Sequence, residues 1–237
     1  MTIPNTFVIK SKGGVIMRVP KLDHFENKSK IQYVNYDKPV PISRYPVVTN
    51  ERQREKLVKT IETYIRSSLE YKDFIKYLKE YINMNYCSFF HNVDAKKKKG
   101  VLEIHHEPFD LFAITEIVMM KQETEMGYID ELLVAEEVMQ LHYMGLVGLI
   151  PLSITCHQLV HDGKLAVPLN CVYGRFVEFT RRYYDYIVQA NPNYIVMLNE
   201  KIDLTKKLSR ADLSILDVRY VYTITDGFNL PEIIKEA

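Results

Sequence analysis

Four histidines fall into two groups whose types and spacing could do chemistry. His105 and His106 are adjacent at the end of the run Val101-Leu102-Glu103-Ile104. His157 and His161 lie four residues apart within Thr155-Cys156-His157-Gln158-Leu159-Val160-His161. The whole chain holds seven histidines, so these two groups use most of the supply. Residues i and i+4 share one helix face, so both imidazoles of the second group can reach one metal ion. Neighbours on an extended segment point to opposite sides. One of the first pair can therefore join the same ion while the other stays free to handle a proton. Three ligands and one base suffice for metal-assisted hydrolysis.

The elements that must position these groups are legible in the periodicity. Thr6–Lys10 and Val15–Val19 flank Gly13-Gly14 and read as a hairpin. Pro39, Pro41 and Pro46 mark an irregular connection. Asn50 is a natural N-cap for a helix with Leu57, Ile61, Ile65 and Leu69 at helical spacing. A second helix follows with Phe74, Ile75, Leu78 and Ile82 on one face, giving an α-hairpin. Tyr86–His91 and Val101–His105 read as strands, 111–146 as mainly helical, and 146–152 as a short buried strand. Thr155–His161 reads as a short helix stopped by Gly163 at the C′ position. A brief strand is expected at 166–169, an amphipathic helix at 174–190 and a helix at 199–210. The tail reads as extended over 214–225 with a helical turn at 231–237.

Composition sets the bounds. A chain of 237 residues makes one large domain or two small ones, and 47% hydrophobic residues supports a core. Thirty-one basic against 30 acidic residues gives a net charge of +1, which argues against a protein that coats nucleic acid. No apolar run approaches the roughly 20 residues of a membrane span, and Met1-Thr2-Ile3-Pro4-Asn5 lacks a signal-peptide pattern. Cys87, Cys156 and Cys171 are too few for a disulfide framework, and no Cys-x-x-Cys pair exists. A reducing, cytoplasmic setting without membrane partners is the expectation. Seventeen tyrosines without a tryptophan read as packing and surface contact.

Glu-x-His-His-x-Pro at 103–108, followed by Leu-Ile-Pro-Leu-x-x-x-Cys-His-x-x-x-His-x-Gly at 149–163, resembles the HNH nuclease motif. The likeness covers residues 100–170, and the assembly is similar to HNH-like proteins encoded by bacteriophages. It implies a β-hairpin and helix around one divalent ion, the ββα-metal arrangement. It also implies His105, His157 and His161 as ligands and His106 as the general base that takes a proton from water. The ion would be Mg, Mn, Ni or Zn. Glu103, two residues before His105 on the same strand face, could orient a ligand imidazole by accepting its N–H. The expected fold class is thus α+β. An HNH-like core at 96–172 carries a long helical insertion at 111–146. It is flanked by an N-terminal hairpin and α-hairpin at 1–95 and a C-terminal helical region at 173–237. An insertion of that length costs little closure entropy when its ends meet.

The implied function is metal-dependent endonuclease action on nucleic acid, with DNA the favoured polymer and host cytoplasm the setting. Lys96, Lys97, Lys98, Lys99 and Lys164 are candidate phosphate contacts. The plain alternatives are a solvated turn for the four lysines and a helix-terminal charge for Lys164. Glu107 and Asp110 are expected to be surface carboxylates, Cys156 a small buried residue, and His91 and His142 have no assigned role. Gly148 stands where the family keeps an Asn that fixes the loop bearing the base. That departure motivates an alternative, a weak or inactive HNH-like scaffold that binds nucleic acid or a protein partner. A metal that only staples the fold is a third possibility.

Overall fold

A computed structural model describes residues 50–90, 93 and 100–207, together with the backbone of Thr6–Lys10, Ile16–Pro20 and Arg44–Pro46. The turn at 11–15, His91, Lys96, Lys97, Lys98, Lys99 and the tail beyond 207 lie outside the described residues. Strands β1 (Thr6–Lys10) and β2 (Ile16–Pro20) pair antiparallel, Val8 opposite Arg18. Strand β3 (Arg44–Pro46) pairs antiparallel with Tyr128–Asp130, later in the chain. Helix α1 (Glu51–Ser67) starts at Asn50, whose side chain accepts the Gln53 N–H at 3.1 Å. A cap of this kind contributes about 1 kcal/mol. Ser68 then ends α1 and caps α2 (Leu69–Glu80), which makes the corner of the α-hairpin.

Strand β4 (Leu102–His106) pairs antiparallel with β6 (Leu149–Ser153), His105 opposite Ile150 and His106 opposite Leu149. Helix α5 (Ile154–His161) follows β6 without a gap, capped by the Ser153 hydroxyl, which accepts the Cys156 N–H at 3.2 Å. Gly163 takes the left-handed conformation just past its end. The segment between β4 and β6 holds α3 (Leu111–Met126), β5 (Tyr128–Asp130) and α4 (Glu131–Tyr143). The last two helices are α6 (Phe176–Ala190) and α7 (Asn193–Lys207). The described fold is α+β, rich in helix, with small two-stranded antiparallel sheets.

Segment 111–143 does not hang from the hairpin as a peripheral insertion. Helix α3 packs against α1, α4 and α6 and buries Leu111, Ala113, Ile114, Ile117, Val118 and Met119. Those residues circle the helix, and a helix apolar on all sides belongs inside. One buried cluster runs from Leu57 through α3 to Ile202. No described helix is long and apolar enough to cross a membrane.

Three local expectations differ from what forms. Of the strand expected at Tyr86–His91, the described residues form only an isolated bridge at Tyr86, and Pro151 O accepts the Ser88 N–H at 3.0 Å. Segment 166–169 is not a strand but leads into a 3-10 turn at Leu169–Cys171. The helix expected at 199–210 begins earlier, at Asn193.

Gly148 has a steric reason to be glycine. A Cβ there would stand 1.7 Å from the Glu107 carbonyl oxygen and 2.8 Å from Val172 Cγ1. The Glu107 N–H also donates to Gly148 O at 3.0 Å. An Asn side chain has no room at this position, whatever the HNH pattern implies for it. Gly148→Asn should cost about 2–3 kcal/mol or more through backbone displacement, a Tm loss of roughly 5–10 °C in a domain of this size. Unchanged melting would show that the entry to β6 shifts freely.

Candidate metal centre

The pleat of β4 sorts its residues by face. Glu103, His105 and Glu107 stand at alternate positions and Leu102, Ile104 and His106 at the others. Helix α5 packs across β4 and β6, and its i, i+4 spacing sets His157 and His161 on one face. His105, His157 and His161 meet there. Each offers a ligand nitrogen, and these lie within 4.8 Å of one another. The three ring centroids form a near-equilateral triangle with sides of 4.6, 4.9 and 5.2 Å.

His157 Nε2 and His161 Nε2 are 3.1 Å apart. Around a tetrahedral ion with Zn–N of about 2.0–2.1 Å, ligand nitrogens sit about 3.3–3.4 Å apart, so this pair fits one ion with little movement. Glu103 Oε2 contacts His157 Nδ1. A carboxylate there accepts Nδ1–H and leaves the Nε2 lone pair for a cation. Burial, and next His105, lower the His157 pKa against the opposing pull of Glu103, which favours the neutral, ligating form. His105 is buried, His157 half-buried and His161 exposed, so the cluster opens to solvent at the helix end. Three imidazoles suit Zn, Ni or Co; Mg and Mn prefer oxygen ligands, so they fit this set less well.

His106 goes elsewhere. Its side chain enters the core on the far face of β4, 4% exposed, with Nε2 2.9 Å from His142 Nε2. His142 Nδ1 lies 2.7 Å from Val138 O. A carbonyl only accepts, so Nδ1 of His142 carries hydrogen, its Nε2 accepts, and His106 Nε2–H donates to it. Tyr71 stacks on His106, while Phe74 and Tyr71 meet His142 edge-on. Desolvation, then His142, holds His106 well below the usual histidine range, and burial brings His142 down to about 4. The expected placement of His106 as a base beside the ion is therefore corrected. The same alternation that brings His105 to α5 turns His106 away from it.

Other candidates fall as follows. Lys164 is exposed after α5 and pairs with Asp162 at 3.0 Å. Asp110 caps α3 by accepting the Ala113 N–H at 2.7 Å. Cys156 is buried, its Sγ 3.7 Å from Cys87 Sγ. Glu107 is no surface carboxylate: it is 2% exposed, between Lys201 Nζ and His105 Nε2. His142, which carries no assigned role in the sequence, is the partner of His106. Its burial is legible in the spacing, since Val134, Val138 and His142 recur at i, i+4 and i+8 on the buried stripe of α4.

Residues 7–224, most of the chain, match the family model of the bacteriophage G278-like virion protein. No curated protein and no solved structure matches. The match supports a phage origin, and its description carries no statement about catalysis.

The His106–His142 pair sets a pH dependence. Burial lowers both groups relative to the unfolded chain, so their stabilisation is complete above the unfolded value near 6.5 and is lost as pH falls below it, for His142 toward about 4. His142 alone accounts for a loss on the order of 3 kcal/mol across that window. His142→Gln should flatten the fall in urea-unfolding free energy between pH 6.5 and 4.5. An equal slope in both proteins would remove the pair as its source.

Proposed function

The chain belongs to the bacteriophage G278-like virion protein family, and we propose that it is a metal-dependent nuclease acting on phosphodiester bonds, with DNA as the polymer. His105, His157 and His161 hold one divalent transition-metal ion. The observation that carries this reading is their convergence from a strand and a helix far apart in sequence, with Glu103 on the rear nitrogen of His157. Strand β4, strand β6 and α5 follow the ββα order of the HNH resemblance. The ion, when bound, supplies Lewis-acid polarisation of a phosphoryl oxygen and stabilises charge on the departing 3′ oxygen.

The chain's own residues do the rest. Glu103 fixes the ring of His157. Exposed His161 leaves the cluster accessible to a phosphate. Lys164, a few residues past the helix, offers a cation to a neighbouring phosphate once it leaves Asp162. His106 holds β4 in the core, so the proton from attacking water passes to solvent. Without an aligned base, turnover should run about 10²–10⁴-fold below that of an enzyme that has one.

The burial of His106 favours a second reading, in which the ion staples β4 to α5 and no bond is cut. Calorimetric titration of the chelator-treated protein with Zn²⁺, Ni²⁺ and Mn²⁺, paired with plasmid digestion, separates the two. One equivalent should bind, and His157→Ala should weaken binding at least tenfold and abolish nicking. His106→Asn should nick like the wild type wherever it folds. Binding and a raised Tm without nicking under any of these metals would establish the staple. Absence of binding would reject both readings.

A further inference from the structure

Glu107 carries an inference beyond the three ligands, and it rests on the metal reading above. Its backbone is held twice: the N–H donates to Gly148 O, and its carbonyl lies against the Gly148 Cα, where no side chain fits. Its carboxylate is almost wholly buried, a placement that strongly disfavours an unpaired charge. Oε1 takes Lys201 Nζ from α7, and Lys201 also donates to Pro108 O at 3.2 Å. Oε2 lies 3.4 Å from His105 Nε2. Pairing with Lys201 alone would satisfy the charge; the second oxygen is turned to the most buried imidazole of the cluster.

Alternation gives the same picture from the sequence side. Residues 103, 105 and 107 project to one face, so a carboxylate stands on each side of His105. Glu103 serves His157, and Glu107 serves His105. Glu107 is not among the side chains whose ligand atoms lie mutually within 4.8 Å, so its place is behind a ligand.

We propose that Glu107 is a positioning residue of the metal centre: it accepts Nε2–H of His105, leaves Nδ1 as the ligand atom, and is itself fixed by Lys201 and Gly148. Helix α7 is thereby tied to the metal site through one ion pair. Carboxylates that orient a ligand histidine typically contribute 10–100-fold to metal affinity.

The test is Co²⁺ titration of the chelator-treated full chain, read by visible absorption and by competition with a chromophoric chelator. Wild type should bind one equivalent. Glu107→Gln, which keeps shape and loses charge, should bind 10–100-fold more weakly with altered d–d bands, at unchanged far-UV circular dichroism. Lys201→Met should weaken binding in the same direction by a smaller factor, and it decides the matter if the Gln variant does not fold. Wild-type affinity and spectrum in whichever variant folds overturns the proposal while leaving the three-histidine site standing. A wild-type protein that takes up no Co²⁺ removes the metal reading and this inference with it.

Discussion

The antiparallel pairing of β4 with β6 is the constraint on which the site depends. It fixes register, and register fixes which side chain faces which way, because a slip of one residue exchanges the two faces of a strand. With His105 opposite Ile150 and His106 opposite Leu149, Glu103 and His105 meet the histidines of α5 while Leu102 and His106 enter the core. Two chemically identical neighbours thereby acquire opposite fates. One joins an open cluster of imidazoles. The other is a desolvated hydrogen-bond donor among aromatic rings.

That pairing is itself sustained by the helices inserted between its strands. Helix α3 fills the centre and is gripped by α1, α4 and α6, while α4 returns the chain to β6 and delivers His142 to His106. Several of the polar groups buried in this region are paired. His142 Nδ1 bonds Val138 O, Asp130 caps α4, and Lys201 meets Glu107. Buried polar groups without partners cost free energy comparable to a lost hydrogen bond or more, so each pairing fixes the relative placement of the elements it joins.

The charge arrangement around the cluster follows the same economy. Glu103 stands beside His157 and Glu107 beside His105, and Lys201 stands beside Glu107. Each group offsets the desolvation of the next. The exposed rim at His161 and the loop with Lys164 is left to solvent, where pairs such as Lys164–Asp162 contribute little to stability.

The sequence by itself determined the local parts. Asn50 and Ser153 cap their helices because side-chain oxygens satisfy orphan N–H groups. The 3.6-residue pattern placed α1, α2, α4 and α6, and the i, i+4 spacing placed His157 beside His161. The β5 strand and the central position of α3 were not legible, since strand pairing and burial depend on partners distant in the chain. Gly148 reads as a lost Asn in the sequence. Only the approach of the Glu107 carbonyl, a contact across some forty residues, shows why no side chain fits. The burial of Glu107, its link to Lys201 and the turning of His106 toward His142 likewise arise from tertiary packing. Side-chain type is written locally, while desolvation and hydrogen-bond partnership are set by whatever the fold brings alongside.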